Sequence, residues 1–248
     1  MSAGDTEQDT QAQEPAPRRK AGGGIVGAVR ETVLVVAVAL VVSLVVKTFL
    51  LQAFFIPSQS MEQTLDIGDR VVVSKLTPGP FELHRGDVVV FADPGGWLQG
   101  STPPQRSAVG SVVADALTFV GLLPEDSDDH LIKRVIGLPG DHVVCCDAGG
   151  RLTVNDVPVD ESAYLAAGVA PSDSAFDVTV PAGELWVMGD NRAESADSRF
   201  NRDKAHNGFV PVDLVVGRAY AVVWPLSHWS WLGTPDDFAS VPGRTGVK

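Results

Sequence analysis

Cysteine is scarce in this chain of 248 residues: there are two, Cys145 and Cys146, and they are neighbours. No zinc-ligand spacing can be built from them. Relaxed disulfides join Cα atoms about 4.4–6.8 Å apart, so a bridge between neighbours departs from the usual geometry. Two strand thiols and a rare vicinal disulfide both fit, and neither fixes the compartment. Positive charge is also in short supply. Nineteen Lys and Arg face 31 Asp and Glu, a formal charge of −12, which speaks against a nucleic-acid partner and describes a solvated acidic surface. The signature of a histidine-based triad is missing too. None of His84, His130, His142, His206 and His228 lies in a Gly-x-Ser-x-Gly elbow. No internal repeat is evident.

Long apolar runs are equally rare, with one exception. "TVLVVAVALVVSLVV" at residues 32–46 carries no charge, and extending it to residue 51 gives 20 residues with one lysine. A membrane-spanning helix needs roughly 20 residues, and a lysine near its end reaches the interface. A buried core helix and a cleaved signal peptide are the alternatives. The run is apolar on every face, unlike a core helix, and its Ala37-Val38-Ala39 triplet lies inside the run rather than after it. The sequence therefore predicts a transmembrane anchor over 24–51. Residues 1–23 are polar, lack apolar periodicity and end in Arg18-Arg19-Lys20. They read as a disordered cytoplasmic tail, with residues 52–248 on the outer side of the membrane.

Beyond the anchor, short Val-rich runs such as "RVVVSKL", "GDVVVFAD", "HLIKRVIGL" and "ELWVMGD" alternate with Gly, Pro, Asp and Asn. Many short strands bounded by turn residues predict a mainly β domain, an antiparallel sheet with a barrel-like form. "VNDVPV" reads as a hairpin turning at Asn155-Asp156. An insertion near 94–129 breaks the rhythm. It begins as a Pro/Gly/Ser/Gln-rich loop, and residues 107–123 read as a packed or interfacial helix rather than a second span. Trp224, Trp229 and Trp231 fit either the core or an interface.

Chemistry concentrates in three places. "PSQSMEQTL" at residues 57–65 sets Ser58 and Ser60 close together; it reads as a plain turn or as a nucleophile needing a base. Lysine is such a base only when burial holds its amine neutral. Of the six lysines, Lys20 and Lys47 flank the anchor, Lys248 ends the chain, Lys204 sits among polar residues and Lys75 precedes an exposed turn. Lys133, in "LIKRVIGLPGD", shares a strand face with Leu131 and Val135, opposite Ile132 and Arg134. That placement suits either a desolvated base or a lysine that snorkels. The third place is "GDNRAESADSR" at residues 189–199, an ordinary surface loop or a buried ion-pair network.

These stretches, in this order after an N-terminal anchor, resemble bacterial type I signal peptidase (leader peptidase), a membrane-bound family of serine proteases with a Ser/Lys dyad. The resemblance runs from about Phe54 to Pro225, apart from the insertion. Gln59 stands where the family usually has Gly, and Gln63 where it usually has Pro. The resemblance implies Ser60 as nucleophile and Lys133 as general base, with an oxyanion hole from Ser58 and the Ser60 N–H. It implies that Ser195 orients the lysine, and that Asp197, Arg199, Asp190, Arg192 and Arg134 support the site by ion pairing. It implies that Phe54, Ile56, Met61, Leu65 and Ile132 line the substrate pockets. The substrates would be signal peptides of exported preproteins, cut after an Ala-x-Ala-like site, with membrane lipid as the other partner and no metal or cofactor. A self-cleaving repressor would want a DNA-binding domain in place of the anchor, and a non-catalytic tethered β domain would not need the serine and lysine.

Overall fold

A computed structural model of the chain describes residues 25–98 and 129–243. The expected tail and the helix expected at 107–123 lie outside the described residues. Helix α1 spans Ile25–Phe49, and its segment Gly27–Phe49 has a mean hydropathy of 2.5 with none of its apolar window buried. A long apolar stretch within a helix that stays uncovered by protein is what a bilayer would accommodate.

The β region follows at once. In chain order its strands are β1 (Leu51–Phe55), β2 (Arg70–Ser74), β3 (Val88–Ala92), β4 (His130–Gly137), β5 (His142–Cys145) and β6 (Thr153–Val154). Then come β7 (Val157–Pro158), β8 (Phe176–Thr179), β9 (Glu184–Met188), β10 (Val210–Pro211), β11 (Val215–Trp224) and β12 (Ser230–Trp231). All pairings are antiparallel. An eight-stranded sheet has the order β1-β2-β11-β3-β4-β9-β10, with β12 added to β11; a four-stranded sheet has the order β7-β6-β5-β8. The large sheet does not close, so it is barrel-like rather than a barrel. Register shifts along β11, at Val215/Gly217, Ala219/Ala221 and Val222/Trp224, bend it.

The valine runs explain the strands. In β2 the alternation buries Val71 and Val73 while Arg70 stays exposed. β4 is different: every residue after His130 is buried. It is sandwiched between clusters, with Ile132 in one, Leu131 and Val135 in a second, and Ile136 in a third. The third cluster joins the two sheets, setting Ile136, Trp186 and Met188 of the large one against Val143, Val154 and Phe176 of the small one. The expected hairpin is present between β6 and β7. Asn155 and Asp156 have φ of 52° and 65°, the two left-handed residues that a two-residue turn favours. Cys145 and Cys146 form a vicinal disulfide at the end of β5. Trp224, Trp229 and Trp231 are exposed rather than in the core.

Candidate active site

Ser60 lies at the start of a single helical turn. Glu62 N donates to Gln59 O at 3.0 Å, and Thr64 N and Leu65 N both donate to Met61 O, at 3.0 and 2.8 Å. Gln63 closes this turn with φ of 86°. A proline ring, locked near −65°, cannot adopt that value, so the Gln at this position and its backbone belong together. Gln59 lies at negative φ and needs no glycine.

Lys133 comes from β4, opposite Val89 of β3. Its Nζ donates to Ser60 Oγ at 2.6 Å and to Ile132 O at 2.9 Å. Both side chains are buried, Ser60 being 5% and Lys133 4% exposed. Burial takes the ammonium out of water and lowers its pKa from 10.5 to about 8; the charges of Asp197 and Asp190 pull the other way but do not win. Those carboxylates are already engaged by arginines. Ser58 is exposed, and its Oγ sits 3.4 Å from Ser60 Oγ, at the long limit of a hydrogen bond.

Beside the pair opens a cleft of about 280 Å³, lined by residues 54–58 on one side and by Val90, Leu98 and residues 130–133 on the other. Phe54, Ile56 and Ile132 line it. Met61 and Leu65 do not. The helical turn puts these two, four residues apart, on one inward face, where they are 0% and 1% exposed and pack with Val71 and Val73. They belong to the same apolar cluster as Phe54, Ile56 and Ile132.

The loop 189–199 is a buried network, not a surface loop. Arg199 grips Asp197 with two bonds of 2.8 Å, and Asp197 Oδ2 also accepts the Gly189 N–H at 3.0 Å. Arg134 grips Asp190 in the same forked way, at 2.8 and 2.6 Å. Thr64 Oγ1 donates to Asp190 at 2.5 Å, which ties the Ser60 turn to this pair. Asn191 N donates to Ser60 O at 3.1 Å. A Cβ at position 189 would overlap both that carbonyl oxygen and Ser195 Oγ, so only glycine fits there. Ser195 is packed against Gly189, and its buried Oγ has no hydrogen-bond partner. The bond from Ser195 to Lys133 implied by the resemblance is therefore not formed; the Ile132 carbonyl fixes the amine instead.

Sequence reasoning missed Glu161 and Tyr164. Glu161 pairs with Arg192 at 2.5 Å, and the Tyr164 ring lies 4.3 Å from the Arg134 guanidinium carbon. They arrive from the loop between β7 and β8 of the small sheet, and no local pattern marks them. Thr64, His130 and Leu131 were also missed; Leu131, two residues before Lys133 on the same strand face, was within reach of the alternation argument. Among the described residues, no group of three or more His, Cys, Asp or Glu is placed to hold a metal ion.

A buried serine hydroxyl thus accepts a hydrogen bond from a buried lysine of lowered pKa beside an apolar cleft. The family described as "Signal peptidase, peptidase S26" matches residues 29–224. Signal peptidase I of Mycobacterium tuberculosis is 38% identical over 248 aligned residues, covering 91% of this chain and 81% of that protein. Probable signal peptidase I of Mycobacterium leprae is 38% identical, covering 82% and 79%. A crystal structure of a signal peptidase I from Enterococcus faecalis is 24% identical with a TM-score of 0.35, covering 56% of this chain and 97% of that one. The chain belongs to the signal peptidase family of serine endopeptidases, peptidase S26. Its family's work is signal-peptide removal from exported preproteins, and its N-terminal apolar helix fits a membrane-anchored protein.

Proposed function

We propose that this chain cleaves signal peptides after an Ala-x-Ala-like site by a Ser60/Lys133 dyad. The observation that carries the reading is the 2.6 Å contact between Lys133 Nζ and Ser60 Oγ, with the lysine buried enough to titrate near pH 8. Once Lys133 is neutral, the Ser60 hydroxyl donates along the same line, and Oγ attacks the scissile carbonyl as its proton passes to Nζ. The lysine returns that proton to the leaving amine, and later takes one from the water that releases the acyl group. Ser58 and the Ser60 N–H receive the negative charge on the carbonyl oxygen.

Strand pairing supports an extended substrate. Among the described residues β4 pairs with β9 only from Arg134 onward, which leaves one edge of residues 130–133 unpaired there, and β1 is the end strand of its sheet. These two edges flank the cleft, and a peptide entering as a strand would bond to main chain along it. Small side chains before the cut suit a cleft of about 280 Å³. We read the N-terminus as cytoplasmic and residues from 52 onward as lying outside. Tyr220, Trp224, Trp229 and Trp231, each at least half exposed, suit contact with lipid headgroups.

The test is cleavage of a preprotein in detergent by the full chain, with N-terminal sequencing of the product. Ser60→Ala and Lys133→Ala each end cleavage while circular dichroism stays that of the parent. Full activity in either variant overturns the dyad. Ser58→Ala lowers turnover by about 10²–10³-fold without ending it; a dead Ser58→Ala beside an active Ser60→Ala reverses the nucleophile assignment.

A further inference from the structure

We infer that Leu98 and Leu131 form a second apolar subsite, one that holds the residue lying between the two small residues of the cleavage signal. This rests on the signal-peptide reading above and adds a preference to it. The cleft is built from both faces of β4. Ile132 and Val90 belong to the cluster of Phe54 and Ile56, whereas Leu131 belongs to the cluster of Phe91 and Trp97, against which Leu98 packs. Both sets reach the same cleft. Successive side chains of an extended peptide point to opposite sides. With the first and third residues before the cut on the Ile132 side, the second is turned toward Leu98 and Leu131.

Leu98 is held in place, not merely nearby. The Asp93 carboxylate accepts four main-chain N–H groups, from Gly95 (2.9 Å), Gly96 (3.1 Å), Trp97 (2.9 Å) and Leu98 (3.3 Å). Burial alone would raise the Asp93 carboxyl, but these N–H groups outweigh it and hold the pKa below its usual value. Trp97 is buried, with its ring edge-on to Phe91 at 5.9 Å. Asp93 N also donates to Asp129 O at 3.2 Å, which joins the start of this loop to the approach to β4. Asp93 is thus a positioning residue for Leu98.

The experiment compares two peptides, Ala-Leu-Ala and Ala-Gly-Ala before the cut, on the full chain in detergent. The ratio of their kcat/KM values is read within one preparation, so the fraction folded cancels. The parent favours leucine by about tenfold, as expected for burying one aliphatic side chain. Leu98→Ala and Asp93→Ala bring the ratio down to about 2, whereas Asp93→Asn, which keeps an acceptor oxygen, retains most of it. Leu98→Phe, which fills the subsite, inverts it. An unchanged ratio in Leu98→Ala overturns the subsite. An unchanged ratio in Asp93→Ala beside a reduced one in Leu98→Ala overturns the role of Asp93. If the parent cuts neither peptide nor a preprotein, the signal-peptide reading itself has failed.

Discussion

Lys133 and Arg134 are adjacent on one strand, both cations and both about 3–4% exposed, yet they have opposite fates. Strand alternation points them to opposite faces. Arg134 meets a carboxylate that matches its fork, with Asp190 at 2.6 and 2.8 Å, Gly86 O at 2.7 Å and the Tyr164 ring on its flank. Lys133 meets a hydroxyl and a carbonyl. The fully paired cation is a structural tie. The under-paired one is a group whose proton is easily lost. Lys133 is left without a carboxylate while its neighbour is given one, and guanidinium, which does not deprotonate, takes the permanently paired place.

That contrast can be broken in several ways. The largest effect is on turnover. Lys133→Met and Lys133→Arg each lower kcat/KM for a preprotein by about 10²–10⁴-fold, because neither side chain takes a proton at neutral pH; robust activity in Lys133→Arg would sink the neutral-base argument. Arg134→Met acts on the fold instead. It leaves Asp190 buried and unpaired, lowering stability by about 3–5 kcal/mol in denaturant unfolding.

Lys133→Met moves stability the other way. Because the folded pKa is about 8 against an ordinary 10.5, the folded chain binds fewer protons than the unfolded one between these values, and parental stability rises with pH across that window. Below about pH 8 the buried ammonium carries its full cost, on the order of 3 kcal/mol. Lys133→Met is therefore more stable than the parent at pH 7, and the difference shrinks toward pH 10.5. A third measurement is the pH profile. kcat/KM rises about tenfold per unit below pH 8 and levels off above it, since only the neutral amine is active. The smallest effect is a shift of that profile. Asp190→Asn removes one of the two charges that favour the ammonium and leaves Arg134 unbalanced, so the midpoint moves to lower pH by about half a unit. A shift to higher pH would mean that Asp190 does not face Lys133 electrostatically.

Much of this was legible beforehand. The apolar run of residues 32–46, the valine alternation and the Asn155-Asp156 turn are local signals, and they gave the helix, the antiparallel strands and the hairpin. The pairing of Ser60 with Lys133 was not local. The residues alone left a turn, a snorkelling lysine and a surface loop as fair readings, and the family resemblance chose among them. The misplacement of Met61 and Leu65 has a simple cause: a motif position does not say which way a helical turn faces. Ser195 was assigned to the lysine on the same grounds, and its hydroxyl is buried beside Gly189 without a hydrogen bond to the amine. Glu161 and Tyr164 were invisible because their partners are distant in the chain.

By itself the sequence determined what depends on neighbours along the chain: an uncharged run long enough to span a membrane, period-two strands, and a lysine on an apolar strand face. Only the tertiary structure decided what depends on neighbours in space. It brought together two buried side chains far apart in sequence, gave Asp190 and Asp197 to arginines, and so left Lys133 without a partner to keep it charged. Desolvation and pairing are properties of a surrounding, and a surrounding exists only once the chain has folded.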